Sequence, residues 1–247
     1  MIPIKDTIHS RSFPIVNWLL IIANSLVFLL IELPLSNSQL NQLISIYGMT
    51  PNQCAAPVLR GFSLAAIPGL NVLFNGCAVP LLTSMFLHGG WLHIISNMWV
   101  LFIFGDNVED RMGSIPYLIF YLVCGIASGL TQAFIAPNSQ VPAIGASGAI
   151  AGVLAAYMIY FPSARVVTFV PLFIIPWFVN IPSLIFIAIW FILQFFSGVV
   201  SLGVATSGGV AYWAHVGGFI AGLLLVLLFY NKSRRSPPTY PDEYHPW

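Results

Sequence analysis

Apolar residues gather into six long blocks, approximately 14–33, 89–105, 115–136, 143–161, 181–201 and 208–230. Each is roughly long enough to cross a hydrocarbon core of ~30 Å at ~1.5 Å per helical residue. A further apolar stretch, 166–180, reads "VVTFVPLFIIPWFVN" and carries Pro171 and Pro176. Being short and interrupted by proline, it predicts an interfacial or re-entrant connection instead of a seventh span. The pattern therefore predicts an all-α membrane protein built as a six-transmembrane-helix bundle. Its membrane domain covers 14–230, after a short N-terminal segment, 1–13. The stretch 34–88 is a long loop with apolar patches that suit the headgroup level, and 231–247, rich in proline and charge, reads as a disordered tail.

Composition agrees. Of 247 residues, 58% are hydrophobic and 6% charged, against about a quarter charged in soluble domains. So few charges cannot cover a soluble surface. A net charge of +1 gives no reason to expect a nucleic-acid partner. The first block is long and is followed by no A-x-A site, so it is expected to remain as an anchor.

The basic residues orient the bundle. With six spans, Lys5, Arg11, Arg111, Arg165, Lys232, Arg234 and Arg235 share one side and only Arg60 lies on the other. Seven against one places both termini in the cytoplasm and 34–88 outside, with a bacterial-type plasma membrane as the expected location. Segments 2, 4 and 6 then all have their N-terminal ends facing out. Of the three cysteines, Cys54 and Cys77 share the external loop. They are either bridged, in an oxidising compartment, or two free thiols in apolar surroundings.

Strongly polar groups inside spans are functional candidates. Here they are His93 and Asn97 in segment 2, Ser147 in segment 4 and His215 in segment 6. All lie near the outward ends of their helices and hence at similar depth. His93 and Asn97 are four apart and share a face. Segment 4 carries Gly148 and Gly152, and segment 6 carries Gly218 and Gly222 on the stripe of Ala211 and His215. Each G-x-x-x-G permits close helix approach, although packing alone would also explain it. His88 and His93 are five apart, about 140° around a helix, a poor metal pair, and neither metal nor cofactor is expected.

A serine hydroxyl becomes a nucleophile when a neighbouring imidazole takes its proton. The acyl intermediate also needs donors aimed at its oxyanion, for which Asn97, His93 and the Ser147 N–H are the candidates. No triad acid presents itself: Glu32 is the one acid near the outer face, while Asp106, Glu109, Asp110, Asp242 and Glu243 belong inside. A Ser–His dyad is the natural reading.

These residues resemble the rhomboid family of intramembrane serine proteases. The resemblance rests on His88–x₄–His93–x₃–Asn97, Glu109–x–Arg111, Gly145–Ala146–Ser147–Gly148, and Ala214–His215 followed by the small-residue stripe. It implies a rhomboid-like bundle in which Ser147 is nucleophile, His215 general base and acid, and His93 with Asn97 oxyanion donors. His88 would be structural, Gly145 would shape the approach to Ser147, and Glu109 with Arg111 would fix segments 2 and 3 at the cytoplasmic side. Substrates would be single-span proteins cut near the outer leaflet, at small or helix-breaking residues. Segment 5 and the loop 201–208 would form the gate. Two positions depart from the family: Val79–Pro80 stands where some members carry Trp–Arg, and Ala151 replaces a tyrosine that stacks on the histidine. Tyr212 or Trp213 is a candidate substitute brace. The competing reading is a rhomboid-like pseudoenzyme that binds transmembrane segments without cutting them. A transporter or channel would want polar groups along a path at the midplane; Gln194 is a lone candidate in segment 5, expected to be packed between helices.

Overall fold

The computed structural model describes residues 1–59, 77–172, 175–203 and 209–228. Residues 204–208 of the expected gate and the whole tail 231–247 lie outside them. Helix α1 (Ile15–Val27) starts after Pro14 and runs on through a π-helical turn, Phe28–Glu32. The region between α1 and the next long helix contains α2 (Asn37–Tyr47), α3 (Pro51–Leu59) and α4 (Val79–Thr83). A capping box in which Ser36 and Gln39 exchange hydrogen bonds starts α2. A 3-10 turn, Ser84–Phe86, leads to α5 (Trp91–Met112), followed by α6 (Ser114–Ile135) and α7 (Ser147–Tyr160). Helices α8 (Ser183–Gly203) and α9 (Tyr212–Val226) complete the bundle. Segments 1 to 6 thus correspond to α1, α5, α6, α7, α8 and α9.

Among the described residues, three helical stretches are long and apolar enough to cross a bilayer: Ile15–Glu32, Ser114–Ile135 and Ser183–Leu202. The pair Val79–Phe86 and Trp91–Met112, bent by 91°, makes a fourth if it is one span. Segments 4 and 6 form shorter apolar helices, α7 of 14 residues and α9 of 15. The shortfall in segment 4 has a local cause: residues 143–146 are spent on a non-helical approach to Ser147. Of the two alternatives for the cysteines, the structure has the bridge: Cys54 and Cys77 are joined by a disulfide at a Cα–Cα distance of 4.9 Å.

The all-α expectation is corrected at 166–180. That stretch is a β-hairpin, β2 (Arg165–Leu172) and β3 (Ile175–Pro182). Its outer partner is β1 (Ile2–Asp6), antiparallel to β2, which gives a three-stranded sheet in the order β1-β2-β3. The run Val166, Val167, Thr168, Phe169, Val170 is β-branched and aromatic, which suits a pleated surface. The prolines pair with each other, Pro171 opposite Pro176, close to the end of the ladder. There a missing N–H costs least. The sheet is fastened to the bundle through β1. Trp99 Nε1 donates to the Pro3 carbonyl at 2.6 Å, and the Asp6 carboxyl accepts from Tyr157 (2.5 Å) and Asn107 (2.9 Å).

At the centre stands α7, whose residues from Gly148 to Tyr157 are all buried. A helix apolar on every side belongs inside a bundle. Its contact with α9 runs through the two glycine stripes. A Cβ on Gly218 would collide with the Gly148 carbonyl oxygen, and one on Gly222 would lie 2.6 Å from the Gly152 Cα. Gly148 and Gly152 also face α6, where a Cβ would strike Ser128 and Cys124 respectively. Backbone thus meets backbone, the device the sequence pattern offered.

Two outcomes follow from this packing. Gly218→Ala should lower stability by about 1–3 kcal/mol, the usual cost of overpacking, in thermal unfolding of detergent-solubilised protein. Gly209→Ala, whose Cβ meets nothing within 4 Å, should leave the midpoint unchanged. A second outcome concerns pH. Burial, reinforced by the Asp106 carboxylate and only partly offset by the Tyr157 hydrogen bond, pushes Asp6 from 3.8 up to about 7. The folded protein therefore holds this proton more tightly than the unfolded chain, and stability should fall as pH rises between those two values. Asp6→Asn should flatten that slope in melting temperatures measured at pH values across the window.

Candidate active site

Ser147 is the first residue of α7, so its N–H is among those with no partner inside the helix. The approach to it is held from both sides. Met49 and Ala143 exchange backbone hydrogen bonds (3.1 and 2.8 Å), and the Gly145 N–H donates to the Ser84 carbonyl at 2.8 Å. Gly145 takes φ +120°, a conformation that L side chains rarely adopt. A Cβ there would lie 2.6 Å from His93 Nε2 and 3.6 Å from Asn97 Nδ2. Gly145, His93 and Asn97 thus converge on one point beside Ser147.

The two α5 side chains present donors to that point. Asn97 is buried, and its Nδ2 has no hydrogen-bond partner among the described residues. His93 Nδ1 accepts the Gly89 N–H at 3.2 Å, so the proton of the neutral ring sits on Nε2, the atom nearest Gly145. His88, fully buried, packs edge-on against His93 with ring centroids 5.0 Å apart. Its N–H donates to both Glu32 oxygens, at 2.9 and 3.1 Å. Glu32 is therefore occupied in tying the end of α1 to the turn before α5.

From the opposite side comes His215, on the first turn of α9. Its Nε2 lies 2.7 Å from Ser147 Oγ. The glycine contacts described above set that distance, because they bring α7 and α9 together one turn below the pair. These groups line a cavity of about 670 Å³.

Two residues of α8 complete the surroundings of His215, and neither was among the sequence candidates for it. Gln194 Oε1 lies 2.8 Å from His215 Nδ1. The Trp190 ring is 5.9 Å from the imidazole, tilted by 36°. Gln194 does pack between helices, against His215 of α9, whereas the choice of Tyr212 or Trp213 as brace is corrected. Trp213 Nε1 instead donates to the Gly198 carbonyl at 3.1 Å, and its ring meets Phe195 edge-on. The signal that could have found the pair is their spacing: Trp190 and Gln194 are four apart, on one face of a helix with few other polar groups.

At the far end of α5, Glu109 accepts the Val16 and Asn17 N–H groups, at 3.1 and 2.7 Å, and the Ser114 hydroxyl at 2.6 Å. It caps the start of α1 as well as joining α5 to α6, while the Arg111 guanidinium lies over the Phe161 ring at 5.2 Å. Glu109 thus reaches segment 1 in addition to the predicted segment 3.

Comparison with known proteins points one way. The model of the Rhomboid domain matches residues 75–232, more than half of the chain. "Rhomboid-like protein 11, chloroplastic" of Arabidopsis thaliana is 34% identical over 95 residues, 38% of this chain and 34% of that protein. "RHOMBOID-like protein 4" of the same plant is 32% identical over 154 residues, covering 59% of this chain and 32% of the relative. The human "Presenilin-associated rhomboid-like protein, mitochondrial" is 34% identical over 97 residues, 38% of this chain and 26% of that protein. The matches span about a quarter to a third of these relatives' own length.

Proposed function

We propose, from the premise that this chain belongs to the rhomboid family of integral membrane proteins, that it is an intramembrane serine endopeptidase working through a Ser147–His215 dyad. The observation that carries the reading is the 2.7 Å approach of His215 Nε2 to Ser147 Oγ beside an unpartnered buried donor, Asn97 Nδ2. Ser147 Oγ attacks the scissile carbonyl carbon while His215 Nε2 takes its proton. The carbonyl oxygen, now an oxyanion, receives hydrogen bonds from Asn97 Nδ2, His93 Nε2 and the Ser147 N–H, helped by the positive end of α7. The imidazolium returns its proton to the leaving amine, and a water activated by the same histidine releases the acyl group.

The substrates are single-span membrane proteins, cut near the outer leaflet. The chain crosses the bilayer six times, with α7 and α9 as short buried crossings. Residues 1–13 and 231–247 are cytoplasmic and 34–88 external, a reading that the seven-to-one basic bias supports. Reporter fusions after Leu70, Gln140 and Thr206 should all read as external; a cytoplasmic signal at Gln140 would overturn this orientation.

Ser147→Ala and His215→Ala should each abolish cleavage of a model transmembrane substrate while leaving the melting temperature in place. The double variant should be no worse than either single one, because the two groups act as a unit. Asn97→Ala should cost about 3 kcal/mol or less of transition-state stabilisation, since other donors remain. A fluorophosphonate probe should label Ser147 and lose that labelling in His215→Ala. Full activity in folded Ser147→Ala would refute the dyad; a folded wild-type protein that binds the substrate without cutting or labelling would indicate a pseudoenzyme.

A further inference from the structure

Resting on the dyad reading, we propose that Gln194 is the positioning residue of the base, holding His215 in the one tautomer that can accept the Ser147 proton. His215 is bracketed by two oxygens, Ser147 Oγ at 2.7 Å from Nε2 and Gln194 Oε1 at 2.8 Å from Nδ1. A carboxamide oxygen only accepts. The ring proton therefore belongs on Nδ1, and Nε2 is left with its lone pair facing the serine. Without such a partner a neutral imidazole divides between two tautomers, and the Nε2–H form cannot act as base toward Ser147.

The choice of an amide fits its surroundings. Gln194 sits on α8 amid Ile192, Leu193, Phe195 and Phe196, of which all but Gln194 itself are exposed on the flank of the bundle. A carboxylate there would carry a heavy desolvation cost. The amide dipole orients the ring, and steadies it once it becomes imidazolium, without burying an ion. Trp190, one turn earlier on the same face, limits the tilt of the imidazole plane from the side. Together they do the orienting work that the acid of a triad does elsewhere.

The test uses full-length protein in detergent or liposomes. Gln194→Met keeps the volume of the side chain and removes the acceptor. It should slow fluorophosphonate labelling of Ser147 and lower kcat about tenfold, the usual worth of one such hydrogen bond, with KM changed less than twofold. Gln194→Glu restores an acceptor and adds charge. It should recover most of the labelling rate relative to Gln194→Met, because its carboxyl oxygen accepts from Nδ1 as the amide oxygen does. Nitrogen NMR of His215 should report the Nδ1–H tautomer in wild type and a mixture in Gln194→Met. That readout does not depend on proteolysis. Labelling of Gln194→Met within twofold of wild type, no recovery of labelling in Gln194→Glu, or an unchanged tautomer would each overturn the proposal while leaving the dyad intact. Wild-type protein that is folded but unlabelled would instead remove the dyad reading on which it rests.

Discussion

The contact on which the rest depends is backbone against backbone, where Gly148 and Gly152 of α7 lie against Gly218 and Gly222 of α9. In a bilayer, lipid chains are as apolar as leucine, so helices associate through close packing and polar contacts. The glycines remove the side chains that would separate the two axes. The hydroxyl on α7 and the imidazole on α9 then meet with no loop to bring them together. The positions of Ser147 and His215 are consequences of helix packing, and the site inherits the stiffness of the core.

Polar groups elsewhere in the bundle act as fasteners. Glu32 receives the His88 N–H and fixes the turn from which α5 starts; Glu109 receives the first N–H groups of α1. Asn17, in the same helix, donates to the Leu101 carbonyl and accepts the Tyr117 hydroxyl, linking α1, α5 and α6. Each such group would be costly in hydrocarbon if left alone. Placed at the ends and crossings of helices, they set how far one helix can slide along another.

Much of this was legible in the sequence because membrane solvent makes polarity rare, and rare things are informative. His93, Asn97, Ser147 and His215 stood out against an apolar background, and the glycine stripes indicated which helices come close. What stayed hidden has physical reasons. The 166–180 stretch is apolar in both of its possible states, so hydropathy could not distinguish a membrane-skimming segment from a hairpin. The strand that completes its sheet lies some 160 residues away, at Ile2–Asp6, where no local pattern announces a partner. Gln194 looked like an isolated polar residue because its partner is on another helix. The length of segment 4 misled because its first four residues are spent shaping the approach to Ser147.

The aromatic packing of α8 bears on the order of events. Phe191 stacks on Phe219 at 4.4 Å, and Trp190 and Gln194 rest against His215 on the adjoining face. On the function proposed above, with this helix swinging aside to admit a substrate, the same movement strips the imidazole of its acceptor and its neighbouring ring. The open protein would then be chemically idle. Reactivity would return only as the helix settles back, and an ester or amide that drifts into the gap without letting it close would meet an unarmed serine. One helix would serve as both door and safety catch, a mechanical interlock that spares surrounding lipids.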